Sequence, residues 1–272
     1  MGKWLKAAIF VALLIAAGYL FGDVCKQTQQ GYEPLLALSV RDTLRLTLWL
    51  LAALGAVTVT AGLVAALVRP LWVCLISFAL SALAMLLAWE LEATSSALAS
   101  LYFIASAIYA WGVARGLEER LSFSVRPISE SQSTLLMALI VVACGSLYLG
   151  YAAHIEEEGF SIPPALVNVV MERVEKEIEK RVPEADREKV LAEFKEGFEK
   201  GLEGFVEKTI RPYEKFIPLA LSLSLFMPLV TITRFLSWIP ILVLGAIFPL
   251  LTALGVTRVV TEMREVKRLT IE

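Results

Sequence analysis

The stretch "LTLWLLAALGAVTVTAGLVAALV", residues 46–68, contains no charged residue and is long enough to cross a bilayer as one helix. A membrane-spanning helix needs about 20 consecutive apolar residues. The whole chain has the same character, since 57% of its 272 residues are hydrophobic and only 19% are charged. Its mean hydropathy is +0.69. These values argue against an ordinary soluble domain and predict an all-α membrane protein.

Similar apolar runs recur along the chain and predict a polytopic transmembrane helical bundle of about seven spans. The first run follows Lys3 and Lys6, a pattern that is also typical of a signal peptide, so a retained span and a cleaved leader are both open. The last two runs are separated only by Arg234 and contain several prolines, which makes a re-entrant hairpin the alternative to two full spans. The runs lie near residues 7–22, 46–68, 71–89, 95–114, 134–153, 216–233 and 235–257.

Hydropathy and charge divide the chain into four segments. Residues 1–154 are predicted to form an N-terminal membrane bundle of five spans, 155–215 a charged extramembrane insert, 216–257 a C-terminal transmembrane hairpin and 258–272 a charged tail. Two spans between the insert and the tail would place both on the same side of the membrane. Basic residues are evenly divided between the two sides, so the first helix decides the orientation. We therefore expect a cell-membrane protein with an extracytoplasmic insert.

The insert has the pattern of an amphipathic helical hairpin. In its first helix the apolar residues Val170, Met171, Val174, Ile178 and Val182 fall on one face at three- and four-residue steps. Pro183 ends this helix and suits the first position of the next one. The Glu/Lys-rich composition of the insert, together with a single asparagine in the chain, is typical of a thermophilic source.

Three glycines interrupt the second helix of the insert in a regular way. On a helical wheel they form one column beside an apolar stripe that includes three phenylalanines. A glycine weakens a helix by about 1 kcal/mol relative to alanine, so the column needs a compensating contact. We therefore predict a contact groove for a second copy of the chain or for a protein partner, which we call the insert groove. Its residues are Phe194, Gly197, Phe198, Gly201, Gly204 and Phe205. The alternative is a hairpin that packs on itself and on its own bundle.

Small residues also recur at four-residue steps inside two predicted spans. One column consists of Thr58, Gly62 and Ala66, and the other of Ser106, Ala110 and Ala114. Such columns let helices approach closely in lipid, where van der Waals packing replaces the hydrophobic effect. We interpret both columns as helix packing within the bundle, with a dimer interface as the alternative.

The sequence contains no recognisable catalytic or metal-binding constellation. His154 is the only histidine, and the cysteines Cys25, Cys74 and Cys144 are too far apart for a CxxC site. Ser146 has no basic or acidic neighbour within the spans that would activate it as a nucleophile. The acidic run 156–158 is interpreted as solvated. We therefore expect no enzyme activity, no cofactor, no metal and no nucleic-acid partner.

Two functions fit these patterns. The preferred one is a non-enzymatic membrane protein whose insert mediates assembly or partner binding. The insert has apolar stripes and a glycine column, whereas the spans contain no recognisable catalytic residues. The alternative is a channel or uncoupled transporter for a small solute, whose path would be lined by Ser, Thr and backbone groups. The spans lack charged residues in their centres, which argues against an ion-coupled carrier.

Overall fold

The computed structural model describes residues 3–30, 40–89, 91–118, 125–158 and 206–257, and single positions of the insert between 167 and 204. The hairpin predicted for the insert therefore lies largely outside the described residues. A π-helical turn, Val206–Ile210, and a 3₁₀ turn, Arg211–Phe216, precede the last two helices. Within these ranges there is no strand, and the long helices are α1 (Lys3–Gln30), α2 (Val40–Leu67), α3 (Leu71–Ala88), α4 (Ala93–Glu118), α5 (Arg126–Glu158), α6 (Ile217–Leu236) and α7 (Trp238–Ala253).

The outer surface of these helices is apolar. Large side chains such as Leu87, Ile104 and Phe235 are exposed, which is typical of a surface that faces lipid. Among the described residues, six helical stretches are long and apolar enough to cross a membrane, with Arg211–Ala253 counted as one stretch. The chain is therefore an all-helical protein whose composition suggests a multi-pass membrane protein.

Helices α1, α3 and α5 run in the same direction. Gly18 and Gly22 of α1 lie against Ser81 and Met85 of α3 in the same order. Near the end of α1, the Gln29 side chain accepts a hydrogen bond from Trp89, and the Gln29 backbone lies against Gly150 of α5. These three helices begin at one end of the bundle, which we call the N-terminal end, and finish at the opposite end.

Helices α2, α4 and α6 run in the opposite direction. Gly116 near the end of α4 lies against Pro127 at the start of α5. In α6, the Ser222 hydroxyl donates to the Cys144 carbonyl of α5 over 2.8 Å. The insert connects the end of α5 to the start of α6, so it is attached at the end opposite the N-terminal end. We call this the insert end.

Helices α1 and α3 pack closely through two glycines. A Cβ atom built on Gly22 would lie 2.9 Å from the Met85 carbonyl carbon and closer still to its oxygen, and one on Gly18 would lie 2.7 Å from the Ser81 carbonyl oxygen. No side chain fits between these backbones. The spacing Gly18-x-x-x-Gly22 is the arrangement that allows close helix packing in lipid.

Aromatic side chains fill the interior between α1, α3 and α4. Phe21, Phe78, Tyr102 and Tyr109 are fully buried. The Phe78 and Tyr109 rings meet edge to face with centroids 6.5 Å apart. The Ser81 hydroxyl lies 3.1 Å from both the Tyr102 hydroxyl and the Leu14 carbonyl oxygen. This part of the bundle is packed with side chains.

The C-terminal helices differ from the antiparallel hairpin predicted for 216–257. Helix α6 packs along α5, whereas α7 packs on α2, and the two have little contact beyond the turn that joins them. At this turn Ser237 keeps helical dihedrals, with φ of −59° and ψ of −22°. Its hydroxyl donates to the Arg234 carbonyl over 2.8 Å. The chain therefore bends at Ser237 without reversing, and Arg234 lies in the last turn of α6.

Helix α7 stays at the N-terminal end of the bundle. It begins at Ser237, whose carbonyl accepts a 3.3 Å hydrogen bond from Gln132, about 9 Å into α5 by helical rise. Its middle residue Leu244 lies against Gly62, near the end of α2. Beyond its last turn, the Gly255 carbonyl accepts a 2.7 Å hydrogen bond from Lys6.

A helix of this length that crossed back would move about 24 Å along the bundle. Helix α7 instead ends beside the first turn of α1. The tail, residues 258–272, lies outside the described residues, so the prediction that the tail and the insert share one side stays a prediction.

Tryptophan side chains lie near both ends of the bundle. Trp4, Trp72 and Trp238 are exposed near the N-terminal end, and Trp49 is exposed towards the insert end. Trp89, which bonds to Gln29, marks the insert end as well. Tryptophan is enriched where a membrane meets water, so this distribution agrees with helices that cross a bilayer.

Candidate functional site

The described residues of the insert groove lie on helical positions of one segment. The Phe194 and Phe198 rings stack with centroids 5.9 Å apart and an interplanar angle of 14°. Around Gly197, Gly201 and Gly204, the described part of the chain places no heavy atom within 4 Å of a built Cβ. Phe205 lies outside the described residues. The assignment of this groove to a partner stays a prediction.

The two columns of small residues face the chain's own helices. Thr58 is buried, Ala66 is half-buried, and a Cβ on Gly62 would lie 2.6 Å from the Leu244 side chain of α7. In α4, the members of the second column, Ser106, Ala110 and Ala114, are all buried within the single chain. Their position fits packing inside the bundle.

The residues considered for catalysis or metal binding are separated. His154 is half-buried and its ring centroid lies 6.1 Å from that of Tyr151. The Ser146 hydroxyl donates to the Ala143 carbonyl over 2.7 Å. Cys25, Cys74 and Cys144 are buried free thiols. Within the described ranges, no three His, Cys, Asp or Glu side chains form a group that would hold a metal ion.

We expect the purified protein to contain no stoichiometric transition metal. A structural zinc site needs four nitrogen or sulfur ligands arranged as a tetrahedron, and this sequence offers one histidine and three dispersed cysteines. Elemental analysis of the detergent-solubilised protein measures this directly, with a His154→Ala variant as the control. One zinc ion per chain in the wild type and none in the variant would contradict the expectation.

A polar cleft of about 200 Å³ opens between the start of α5 and the end of α6. Its polar lining comes from Ser129, Gln132 and Ser133 of α5 and from Thr233 and Arg234 of α6. The remaining lining residues are apolar except for Ser237 at the bend.

An apolar groove of about 380 Å³ adjoins the polar cleft. It lies between α2 and the bend of α6 and α7, and Val59, Pro240 and Val243 are among its lining residues. The cleft and the groove meet at Leu136, Thr233 and Ser237, which line both. The two spaces are therefore neighbours, one with polar side chains in its lining and one with a mainly apolar lining.

Gln132 is the buried polar group of this site. Only 2% of the residue is exposed, and its Nε2 donates to the Ser237 carbonyl over 3.3 Å. Its Oε1 has no hydrogen-bond partner among the described residues. The orientation of the amide follows from its neighbour, since a carbonyl oxygen requires the nitrogen to face it. A buried acceptor without a donor costs about 1–3 kcal/mol.

Arg234 supplies the charge of the site. It lies one helical turn before Ser237, on the exposed surface of α6, and thus about 13 Å into the bundle by helical rise. None of the residues lining the polar cleft is acidic. The level of Arg234 is close to the polar start of α5, where a long arginine side chain can extend towards the headgroup region.

Sequence reasoning overlooked two features of this structure. Gln132 lies in the polar segment "SESQS", which reads as a span boundary, and only its burial next to Arg234 reveals a site. The Gly18-x-x-x-Gly22 spacing was visible in the sequence and is the signal that would have predicted the α1–α3 contact.

A comparison with protein-family models, characterised proteins and solved structures finds no match for this chain. Its function is therefore argued from its own side chains and their geometry.

Proposed function

We propose that the chain is a non-enzymatic protein of the cell membrane whose helical insert mediates assembly or partner binding. The observation that carries this proposal is the filled interior of the bundle, where Phe21, Phe78, Tyr102 and Tyr109 are fully buried. A channel or transporter needs a polar path through the bundle. The packed aromatic layer across α1, α3 and α4 favours a supporting role for the membrane helices.

The insert is the segment best suited to contact a partner. Residues 155–215 carry the largest block of charge in the chain and are joined to the bundle at the insert end. In the described part of this segment, Phe194 is 38% exposed although it stacks on Phe198. Exposed aromatic side chains are enriched in protein interfaces. The three glycines beside them leave room for a second backbone.

The basic residues support an extracytoplasmic insert. Helix α7 brings the tail to the N-terminal end, so this end gathers most basic residues outside the insert. Only Lys26, Arg41 and Arg45 belong to the insert end. Basic residues in short loops favour the cytoplasm, and this distribution supports an insert outside the cell. The basic residues assigned to the N-terminal end are Lys3, Lys6, Arg69, Arg115, Arg120, Arg126, Arg258, Arg264, Lys267 and Arg268.

The insert groove is tested by replacing Gly201 with leucine. If a neighbouring backbone occupies the space beside Gly201, a leucine side chain will block it even though leucine is the better helix former. We expect the Gly201→Leu variant to shift towards a smaller assembly, or to lose a co-purifying protein. Size-exclusion chromatography with light scattering measures the mass of the solubilised protein.

Leucine at Glu203 is the matched control, because this position lies on the acidic face of the same predicted helix. We expect Glu203→Leu to assemble like the wild type. An unchanged assembly in Gly201→Leu, together with equal or higher thermal stability, would remove the main support for the insert as an interaction element.

A further inference from the structure

We propose that the polar cleft and the apolar groove bind one anionic phospholipid whose headgroup carries hydroxyl groups. The lipid comes from the membrane leaflet at the N-terminal end. Its phosphate lies at Arg234, a headgroup hydroxyl donates to Gln132, and an acyl chain lies in the apolar groove. This site is separate from the insert and goes beyond the proposed function.

Arg234 determines the charge of the ligand. Its guanidinium group belongs to a cleft whose lining residues include no acid. The side chain lies below the N-terminal end of the bundle, where long arginine side chains extend towards the headgroup region. Arginine binds phosphate with parallel hydrogen bonds and gains more from an anionic lipid than from a zwitterionic one. A phosphate with a net negative charge is therefore the matching group.

Gln132 determines the second polar contact. Its Nε2 donates to the Ser237 carbonyl, so Oε1 is the atom of the amide that lacks a hydrogen-bond partner among the described residues. An ionised phosphate oxygen is itself an acceptor and cannot donate to Oε1, whereas a hydroxyl group can donate. With Nε2 held by the Ser237 carbonyl, a donor that reaches Oε1 completes the hydrogen bonding of the amide. The headgroup therefore needs a hydroxyl as well as a phosphate.

The apolar groove accounts for the remainder of the ligand. Its volume of about 380 Å³ is within the range of small-ligand sites. It shares Thr233 and Ser237 with the cleft, and its other lining residues come mainly from α2 and α7. One amphiphilic lipid fills both spaces, with its headgroup in the polar cleft and an acyl chain in the apolar groove.

The probe is short-chain phosphatidylglycerol, which has a net negative charge and two headgroup hydroxyls. Binding to the solubilised full-length protein is titrated by native mass spectrometry. We expect phosphatidylglycerol to bind about ten- to a hundredfold more tightly than phosphatidylcholine with the same acyl chains, because phosphatidylcholine carries a cationic group beside its phosphate and has no hydroxyl to donate to Gln132. Phosphatidylmethanol has the same charge and no hydroxyl, and should bind about three- to tenfold more weakly than phosphatidylglycerol.

Variants assign these differences to the two side chains. Arg234→Gln should reduce the preference for phosphatidylglycerol over phosphatidylcholine to the about three- to tenfold that the hydroxyl contact supplies, and Arg234→Lys should retain most of the binding because it keeps the charge. Gln132→Leu should bind phosphatidylglycerol and phosphatidylmethanol equally. Arg126→Gln, at the same end of the bundle and outside the cleft, should match the wild type. Full phosphatidylglycerol binding by Arg234→Gln, or equal binding of all three lipids by the wild type, would overturn the proposal.

Discussion

Replacing Gly22 with valine is expected to destabilise the bundle by about 3 kcal/mol, because overpacking of a well-packed contact costs about 1–3 kcal/mol and sometimes more. The new Cβ would lie 2.9 Å from the Met85 carbonyl carbon, and two further methyl groups would follow. Backbone atoms cannot move aside like the end of a side chain, so α1 and α3 must separate along their contact. Unfolding of the solubilised protein, followed by circular dichroism during a detergent titration, measures the loss.

Gly245→Val is the matched control for this prediction. Gly245 is also helical and exposed, and the described residues place no heavy atom within 4 Å of its built Cβ. The same substitution there removes a helix-weakening glycine without meeting a neighbour, so the free energy of unfolding should change by about 0.5 kcal/mol or less. Equal stability of the Gly22→Val and Gly245→Val variants would show that α1 and α3 do not pack through their glycines.

The membrane helices of the N-terminal segment were predictable from the sequence. The uncharged stretch 46–68 overlaps α2 (Val40–Leu67), and the predicted span 71–89 matches α3 (Leu71–Ala88) closely. A long apolar run has few alternatives in lipid, since every backbone group must be bonded within the segment. The helix ends were less predictable, because α1 and α5 extend beyond their apolar runs into polar residues.

The course of the C-terminal helices was not predictable from the sequence. Arg234 and the nearby prolines suggested a break between two spans, but Ser237 continues the helical path and only bends it. The position of α7 depends on contacts with residues far away in the sequence. Leu244 lies against Gly62, and Lys6 donates to the Gly255 carbonyl. Hydropathy measures how apolar a segment is and carries no information on the helices it packs against.

The polar cleft was not predictable for a related reason. Gln132 and Arg234 are separated by more than a hundred residues, and neither belongs to a recognisable motif. They line the same cleft because α6 runs antiparallel to α5 and bends at Ser237. The insert groove remains a prediction from the sequence.

The course of α7 has a large consequence for the topology of the chain. With α6 as the last helix that crosses the membrane, the N-terminus and the tail share one side and the insert lies on the other. The basic residues of the tail then lie on the same side as Lys3 and Lys6. This concentration of basic residues favours the cytoplasm for that side. If α7 crossed the membrane as well, the tail would join the insert and the basic residues would be divided evenly.

Cysteine labelling at Glu203 and Glu272 tests this account most directly. The native cysteines are buried, with at most 4% exposure, so the wild type serves as the unlabelled reference. In intact cells, a membrane-impermeant maleimide should label Glu203→Cys in the insert, whereas Glu272→Cys in the tail should react only after the membrane is permeabilised. Labelling of both variants from the same side would contradict the account, because it would require α7 to cross the membrane.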